Sequence, residues 1–230
     1  MSTPSTIAID GTAASGKSTV GELLAQSLGY LYFDTGVMYR AVTWATLARA
    51  IDIEDIETVS SLAESLVIEV KPDGPDDGRQ YTVLANGQDI TWAIRSPDVE
   101  AAIGRVSSYP RVRAALIAQQ RRIAAEGSIV MVGRDIGTVV LPEADLKIFM
   151  RASAEERARR RYEEAVAQGK PVNFEQILAA IVERDRQDRE KPISPMVPAS
   201  DAIIIDTDNL SIEEVLAKVK QLVADAAVAA

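Results

Sequence analysis

Gly11-Thr12-Ala13-Ala14-Ser15-Gly16-Lys17-Ser18-Thr19, preceded by the apolar run Ile7-Ala8-Ile9 and followed by an amphipathic pattern over about 17–28, decides the fold of this chain. The spacing is that of a phosphate-binding loop, G-x4-G-K-[ST], placed between a strand and a helix. Its glycines let successive backbone N–H groups turn toward phosphate oxygens, Lys17 reaches the β- and γ-phosphates, and the Ser18 hydroxyl is the candidate Mg²⁺ ligand. The N-terminus of the helix that starts near Lys17 adds its positive dipole end at the same place. A Gly/Ser-rich turn would explain the composition, but not the flanking strand and helix. Residues 11–19 are therefore expected to bind a nucleoside triphosphate, with Mg²⁺ arriving alongside it.

Working outward, short apolar runs alternate with helical patterns: 7–9 and a helix over 17–28, 31–33 and a helix over 36–50, then 129–132, 146–150, and 202–205 with a helix over 211–227. Five such runs predict an α/β fold of three layers, a central parallel five-stranded sheet with helices on both faces. In such sheets the ligand crevice lies at the carboxyl ends of the strands, where Gly11, Asp34, Gly133-Arg134-Asp135 and Arg151 stand. Two segments break the alternation. Residues 64–97 carry β-type runs, Val67–Lys71 and Gln80–Ala85, around a Pro/Asp/Gly turn at 72–78, and end in the hairpin signal Asn86-Gly87. Residues 153–170 form a charged helix that leaves through Gly169-Lys170-Pro171, the pattern of a hinged lid. The expected division is a core of 1–63, 98–152 and 171–230, an antiparallel insertion at 64–97 and a lid at 153–170.

Composition narrows the chemistry. The 230 residues include no cysteine and no histidine, so a thiolate nucleophile, a Cys-held zinc and an imidazole base are all excluded. Any reaction must rest on carboxylates, Lys, Arg, backbone amides and oxygen-held metal. A net charge of −9 argues against a nucleic-acid or membrane-surface partner. No long apolar run and no basic leader precede the first strand, so neither a membrane span nor a signal peptide is expected and the cytoplasm is the default location. Of 25 basic residues 18 are arginine, clustered at 151–161 and 184–191, which suggests anion clamps within an acidic surface.

Three constellations are candidates for the acceptor. Asp34-Thr35-Gly36-x-x-Tyr39-Arg40 opens a helix after the second strand; Gly133-Arg134-Asp135 ends the third; Arg184, Asp188 and Lys191 share one face of the helix that begins near Phe174. A cation–carboxylate–cation row can grip a phosphate and a ribose hydroxyl together, although an intrahelical salt-bridge ladder has the same spacing. In the lid, Arg157 and Arg160 or Arg161 also share a face and could close over a transferring phosphoryl group. The guanine-reading Asn-Lys-x-Asp and the switch motif Asp-x-x-Gly are both absent from the sequence. That leaves phosphoryl transfer to a small acceptor ahead of a GTPase-like or regulatory nucleotide switch.

GTAASGKST from 11, DTGVMYRAV from 34, YPRVRAAL from 109, GRDIGTVVLPEADLKIFM from 133, SAEERARRR from 153, VNFEQIL from 172 and ERDRQD from 183 together resemble the bacterial cytidylate kinases over about residues 6–220. The resemblance implies ATP-dependent phosphorylation of CMP and dCMP, and makes the 64–97 insertion a monophosphate-binding element. It assigns Tyr39, Arg40, Arg134 and Arg184 to the acceptor phosphate, Asp188 to the ribose hydroxyls, and Arg113 and Asp135 to the cytosine edge. Thr35 stands where the family often has Ser, Gly104 where it has a small hydroxyl residue, and Lys191 where it has Arg. The catalytic candidates are Lys17, Arg134, Arg157 and Arg161, and a monomer is expected. Adenylate and shikimate kinases are the alternatives of the same architecture.

Overall fold

In a computed structural model that describes residues 3–71, 75–79, 81–190 and 193–229, the elements run β1 (Thr6–Gly11), α1 (Lys17–Leu28), β2 (Leu31–Asp34), α2 (Gly36–Ala48), α3 (Ile56–Ser65), β3 (Ile68–Lys71), β4 (Thr82–Ala85), β5 (Gln88–Asp89), α4 (Pro97–Val106), α5 (Pro110–Ala124), β6 (Ile129–Gly133), β7 (Leu146–Arg151), α6 (Ala154–Ala167), α7 (Phe174–Arg189), β8 (Ile203–Asp206) and α8 (Ile212–Ala229). The apolar runs read from the sequence are the five strands of one sheet, in the order β2-β6-β1-β7-β8. β1 lies parallel between β6 and β7, pairing Ile9 with Val132 on one side and with Ile148 on the other. Such central strands are buried on both faces, which is why they are apolar runs rather than alternating ones. Val20 and Leu24 of α1 and Val215, Val219 and Val223 of α8 pack in one cluster with Ile7, Ile9, Val130, Val132, Ile148 and Met150.

Register is held at the strand ends remote from the phosphate loop. The Asp145 carboxylate accepts the N–H groups of Ser5 at 2.8 Å and Thr6 at 2.9 Å, clamping the start of β1 beside the start of β7. Two glycines mark where backbone approaches closely. A Cβ on Gly11 would stand 1.9 Å from the Met150 carbonyl oxygen, and one on Gly21 would stand 2.7 Å from Val132 Cγ2. The glycine within α1 thus lets the helix lie against β6, a packing gain set against its poor helix propensity.

The chain divides into two compact units, residues 1–32 with 127–230, and residues 33–126. The first holds the phosphate loop, the helix pair α6–α7 and α8. The second holds α2–α5 and an antiparallel sheet β3-β4-β5. Asn86 (φ 49) and Gly87 (φ 80) both take the left-handed conformation of a type I′ hairpin turn between β4 and β5, as their dipeptide predicts. Arg79 closes this sheet by bonding Asp77 on one side and Asp89 at 2.5 Å on the other. The expected insertion at 64–97 contains the sheet, but the compact unit around it is wider because α2, α3, α4 and α5 pack with it. Residues 72–74 and Gln80 of the expected hairpin lie outside the described residues. Among the described residues, no helix is long and apolar enough to cross a membrane.

Candidate active site

The loop at 11–16 is shaped by donors from three directions. Lys17 Nζ donates to the Thr12 carbonyl at 3.0 Å, Arg157 Nη1 to the Ala13 carbonyl at 3.2 Å and Thr207 Oγ1 to the Ser15 carbonyl at 3.3 Å. Because a trans peptide is planar, each carbonyl so held directs the following N–H to the opposite side. The N–H groups of Ala13, Ala14 and Gly16 therefore face away from these protein donors, which is the arrangement an anion requires. Ala14 (φ 61) and Gly16 (φ 86) sit in the left-handed region that makes the turn possible. α6 and α7 are capped by Ser153 and Asn173, whereas α1 has no side-chain cap and no acidic residue in its first turn. Its end is left to a ligand's charge. Ser18 and Thr19 are exposed on that first turn.

The residue before the loop, Asp10, is 5% exposed. Its carboxylate accepts the N–H groups of Ile136 and Gly137, both at 2.7 Å, and so ties the turn after Gly133-Arg134-Asp135 to the foot of the phosphate loop. Burial pushes the Asp10 carboxyl up to about 6, outweighing the two N–H bonds and the nearby Lys17 charge that favour ionisation; Asp135 adds to the rise. The turn itself is a single π-type turn over Ile136–Val140, closed by Leu141 N–H on the Ile136 carbonyl at 2.7 Å. Such turns recur at functional sites because the extra residue re-aims the backbone.

Arg134 and Arg184 converge on Asp188. Arg134 Nη1 pairs with Asp188 Oδ2, and Arg184 Nε lies 3.5 Å from the same oxygen, while the Asp188 side chain is only 1% exposed and the two guanidinium groups remain about a third exposed, at 28% and 32%. Among the described residues, these two guanidinium groups meet at one buried carboxylate and keep part of their surface open, an arrangement in which they could also bind an anion. Met196 N–H on the Asp188 carbonyl at 2.9 Å fixes the chain beyond α7. Asp135 is buried beside this cluster in sequence, directly after Arg134. Lys191, expected as the third member of the row, lies outside the described residues.

In the second unit Arg113 is 6% exposed, with its guanidinium 5.5 Å from the centre of the Tyr39 ring. This is a cation–π contact, and it orients both side chains. Arg40 pairs with Glu100 at 2.6 Å, and the buried Thr35 begins α2. Gly104 stands half-buried on α4. The acceptor candidates thus divide between the units: Thr35, Tyr39, Arg40 and Arg113 in the second, Arg134, Asp135, Arg184 and Asp188 in the first.

The lid arginines are placed differently from one another. Arg157 is 2% exposed; its guanidinium is engaged by Asp185 Oδ1 at 3.0 Å and Oδ2 at 2.5 Å as well as by the Ala13 and Ala152 carbonyls. It faces the protein interior, where an expected cation poised over a γ-phosphoryl group would be open. Arg160 donates to the Thr207 carbonyl at 2.6 Å, and Arg161 is exposed. Three residues of this site were not singled out from the sequence: Asp10, Asp185 and Thr207. A carboxylate closing the apolar run Ile7-Ala8-Ile9 was the available signal for Asp10.

A family profile described as cytidylate kinase matches residues 7–225 of this chain. A cytidylate kinase of Chloroflexus aggregans is 54% identical over 219 residues, covering 95% of this chain and 94% of the relative. The chain belongs to the cytidylate kinase family. A second family member, from Roseiflexus castenholzii, is 51% identical over 226 residues and covers 98% of this chain and 96% of its own. Among solved structures, an uncharacterised protein from Eubacterium ventriosum superposes with a TM-score of 0.50 at 11% identity, over 95% of this chain and 97% of that one, a likeness of fold alone. Family membership also makes ATP the phosphoryl donor of this kinase.

Proposed function

We propose that this chain transfers the γ-phosphoryl group of ATP to CMP and dCMP, yielding CDP and dCDP. The reading rests on family membership, and the observation that carries it onto the structure is the pairing of Arg134 and Arg184 over buried Asp188 in the unit that holds the phosphate loop. The acceptor phosphate oxygen forms a bond to Pγ, the Pγ–O bond to the β-phosphate breaks, and ADP departs with that electron pair. A nucleoside monophosphate is close to fully ionised at neutral pH, so the reaction needs no general base and the absence of histidine is no obstacle. Positioning and charge stabilisation supply most of the catalysis.

Tyr39, Arg40, Arg134 and Arg184 are the proposed contacts to the acceptor phosphate, Asp188 to the ribose hydroxyls, and Arg113 and Asp135 to the cytosine edge, where a carboxylate accepts from the exocyclic amine and a guanidinium donates to ring acceptors. Lys17 and exposed Arg161 are the proposed cations at the transferring group. The exposed Ser18 hydroxyl fits Mg²⁺ as a hard oxygen donor beside the triphosphate. When bound, Mg²⁺ neutralises phosphate charge. A cytoplasmic monomer completes the proposal.

The test is a panel of acceptors in a coupled assay of ADP release. CMP and dCMP should stimulate ADP production strongly, with AMP and shikimate at background. Stimulation by AMP or shikimate equal to that by CMP would refute the proposed specificity, and ADP release indifferent to every acceptor would point to a nucleotide switch.

A further inference from the structure

Arg157 heads the largest wholly buried side chains of the described residues, and the ion pair it makes with Asp185 joins three pieces of the first unit. Its Nε donates to the Ala152 carbonyl at 3.0 Å, where β7 passes into α6. Its Nη1 donates to the Ala13 carbonyl at 3.2 Å, at the apex of the phosphate loop, and to Asp185 Oδ1 on α7 at 3.0 Å; Nη2 completes the fork on Asp185 Oδ2 at 2.5 Å. Stability alone is a poor reason for this arrangement, since a buried ion pair loses in desolvation much of what it gains in attraction, and apolar side chains of similar volume often hold helices together as well. A guanidinium offers what apolar groups cannot, a rigid fork of donors that fixes directions.

Two directions are fixed. The peptide after Ala13 is held so that the N–H of Ala14, a non-glycine residue at φ 61, faces the triphosphate side. Asp185 lies one residue after Arg184 and one helical turn before Asp188, and the buried side chains of both aspartates set the rotation of α7 about its axis. That rotation places the acceptor clamp. A parallel strut runs from Arg160 through the Thr207 carbonyl, with the Thr207 hydroxyl on Ser15, but it reaches the loop alone and not α7.

We propose that Arg157 and Asp185 are positioning residues that align the donor loop with the acceptor-clamp helix and thereby couple ATP binding to CMP binding. The inference rests on the phosphoryl-transfer reading and adds a role to residues that touch neither substrate. Coupling of this kind is reciprocal: whatever ATP does to CMP affinity, CMP does to ATP affinity.

The experiment uses the full chain with Arg157→Lys, Asp185→Asn, their double variant, and the apolar pair Arg157→Met with Asp185→Leu, which keeps the helices packed. Turnover, both Michaelis constants, the urea midpoint, and CMP affinity with and without a non-hydrolysable ATP analogue are measured for each. The wild type should bind CMP more tightly when the analogue is present. In the variants that ratio should fall toward one and kcat should drop at least tenfold, with Arg157→Lys adding little once Asp185→Asn is in place. The apolar pair should match the wild-type urea midpoint yet share the kinetic loss. Folded variants with wild-type kcat and wild-type coupling would overturn the inference, as would an apolar pair with full turnover, strictly additive losses, or unfolding of every variant, which would make the pair purely structural. Absence of CMP turnover in the wild type would instead strike the underlying reading.

Discussion

Asp10→Asn isolates a carboxyl whose pKa burial raises to about 6. Burial raises its pKa from 3.8 in the unfolded chain to about 6 in the fold, so the native state holds this proton more tightly than the unfolded state does. A raised folded-state pKa gives stability that is fully present below pH 3.8 and is lost as pH rises through about 6. Between pH 5 and pH 7 the linkage relation yields a loss of about 1 kcal/mol for a single group shifted by that much, which moves a urea midpoint by several tenths of a molar. The chain has no histidine to titrate in this window, and partner-bound carboxylates such as those of Glu64, Glu156 and Glu183 are pulled down, away from it. Urea unfolding followed by far-ultraviolet circular dichroism at pH 5, 6 and 7 should show the wild type weakening across the range and Asp10→Asn level. Turnover should run the other way, rising through pH 6 as ionised Asp10 accepts both N–H groups of the turn that carries Arg134. A wild type that is level from pH 5 to 7, or a variant that keeps the wild-type slope, would refute the assignment.

Lys17→Ala should cost well over tenfold in kcat, more than about 1.4 kcal/mol of barrier, while the chain stays folded, since Lys17 is half-buried on the loop, where its Nζ donates to the Thr12 carbonyl, and lies outside the apolar core; turnover within tenfold of wild type would remove Lys17 from the chemistry. Arg113→Met and Asp135→Asn should each raise the Michaelis constant for CMP by tenfold or more and leave that for ATP within about threefold, because a site built to hydrogen-bond a base is left with unpaired polar groups. Equal weakening of both substrates would place these residues in the framework. Gly21→Ala should destabilise by about 1–2 kcal/mol, the overpacking against Val132 exceeding the helix-propensity gain, and Val132→Ala in the same chain should recover part of it; a stabilised Gly21→Ala would contradict the packing.

The sheet was legible because its strands are continuous apolar runs, and the loop because its spacing has a mechanical reason. Much less of residues 33–126 could be read. α5 buries Val112, Arg113, Leu116, Gln120 and Ala124 on one face, and the two polar members interrupt the stripe by which a helix is recognised. α4, with Val99, Ala102, Ile103 and Val106 buried at regular spacing, is the exception, since its apolar stripe is continuous. The breadth of the second unit was not visible because its boundary at 33 falls inside β2, with no change of composition to announce it. The burial of Arg157 is hidden for a related reason. Glu155, Glu156, Arg159, Arg160 and Arg161 surround it and read as a solvated helix, and only tertiary packing with Asp185 takes this one arginine inside. Burial of a charge is a property of the whole fold and leaves no local trace.

Both tryptophans, Trp44 on α2 and Trp92, half-exposed with its Nε1 on Asp77, fall within residues 33–126. Indole emission is consequently a one-sided reporter. Both indoles belong to the unit that also holds Tyr39, Arg40 and Arg113. Tyr162→Trp, at an exposed position on α6 beside the Phe174 ring, would give the unit that carries Lys17 and Arg157 an indole of its own and let the two units be followed separately.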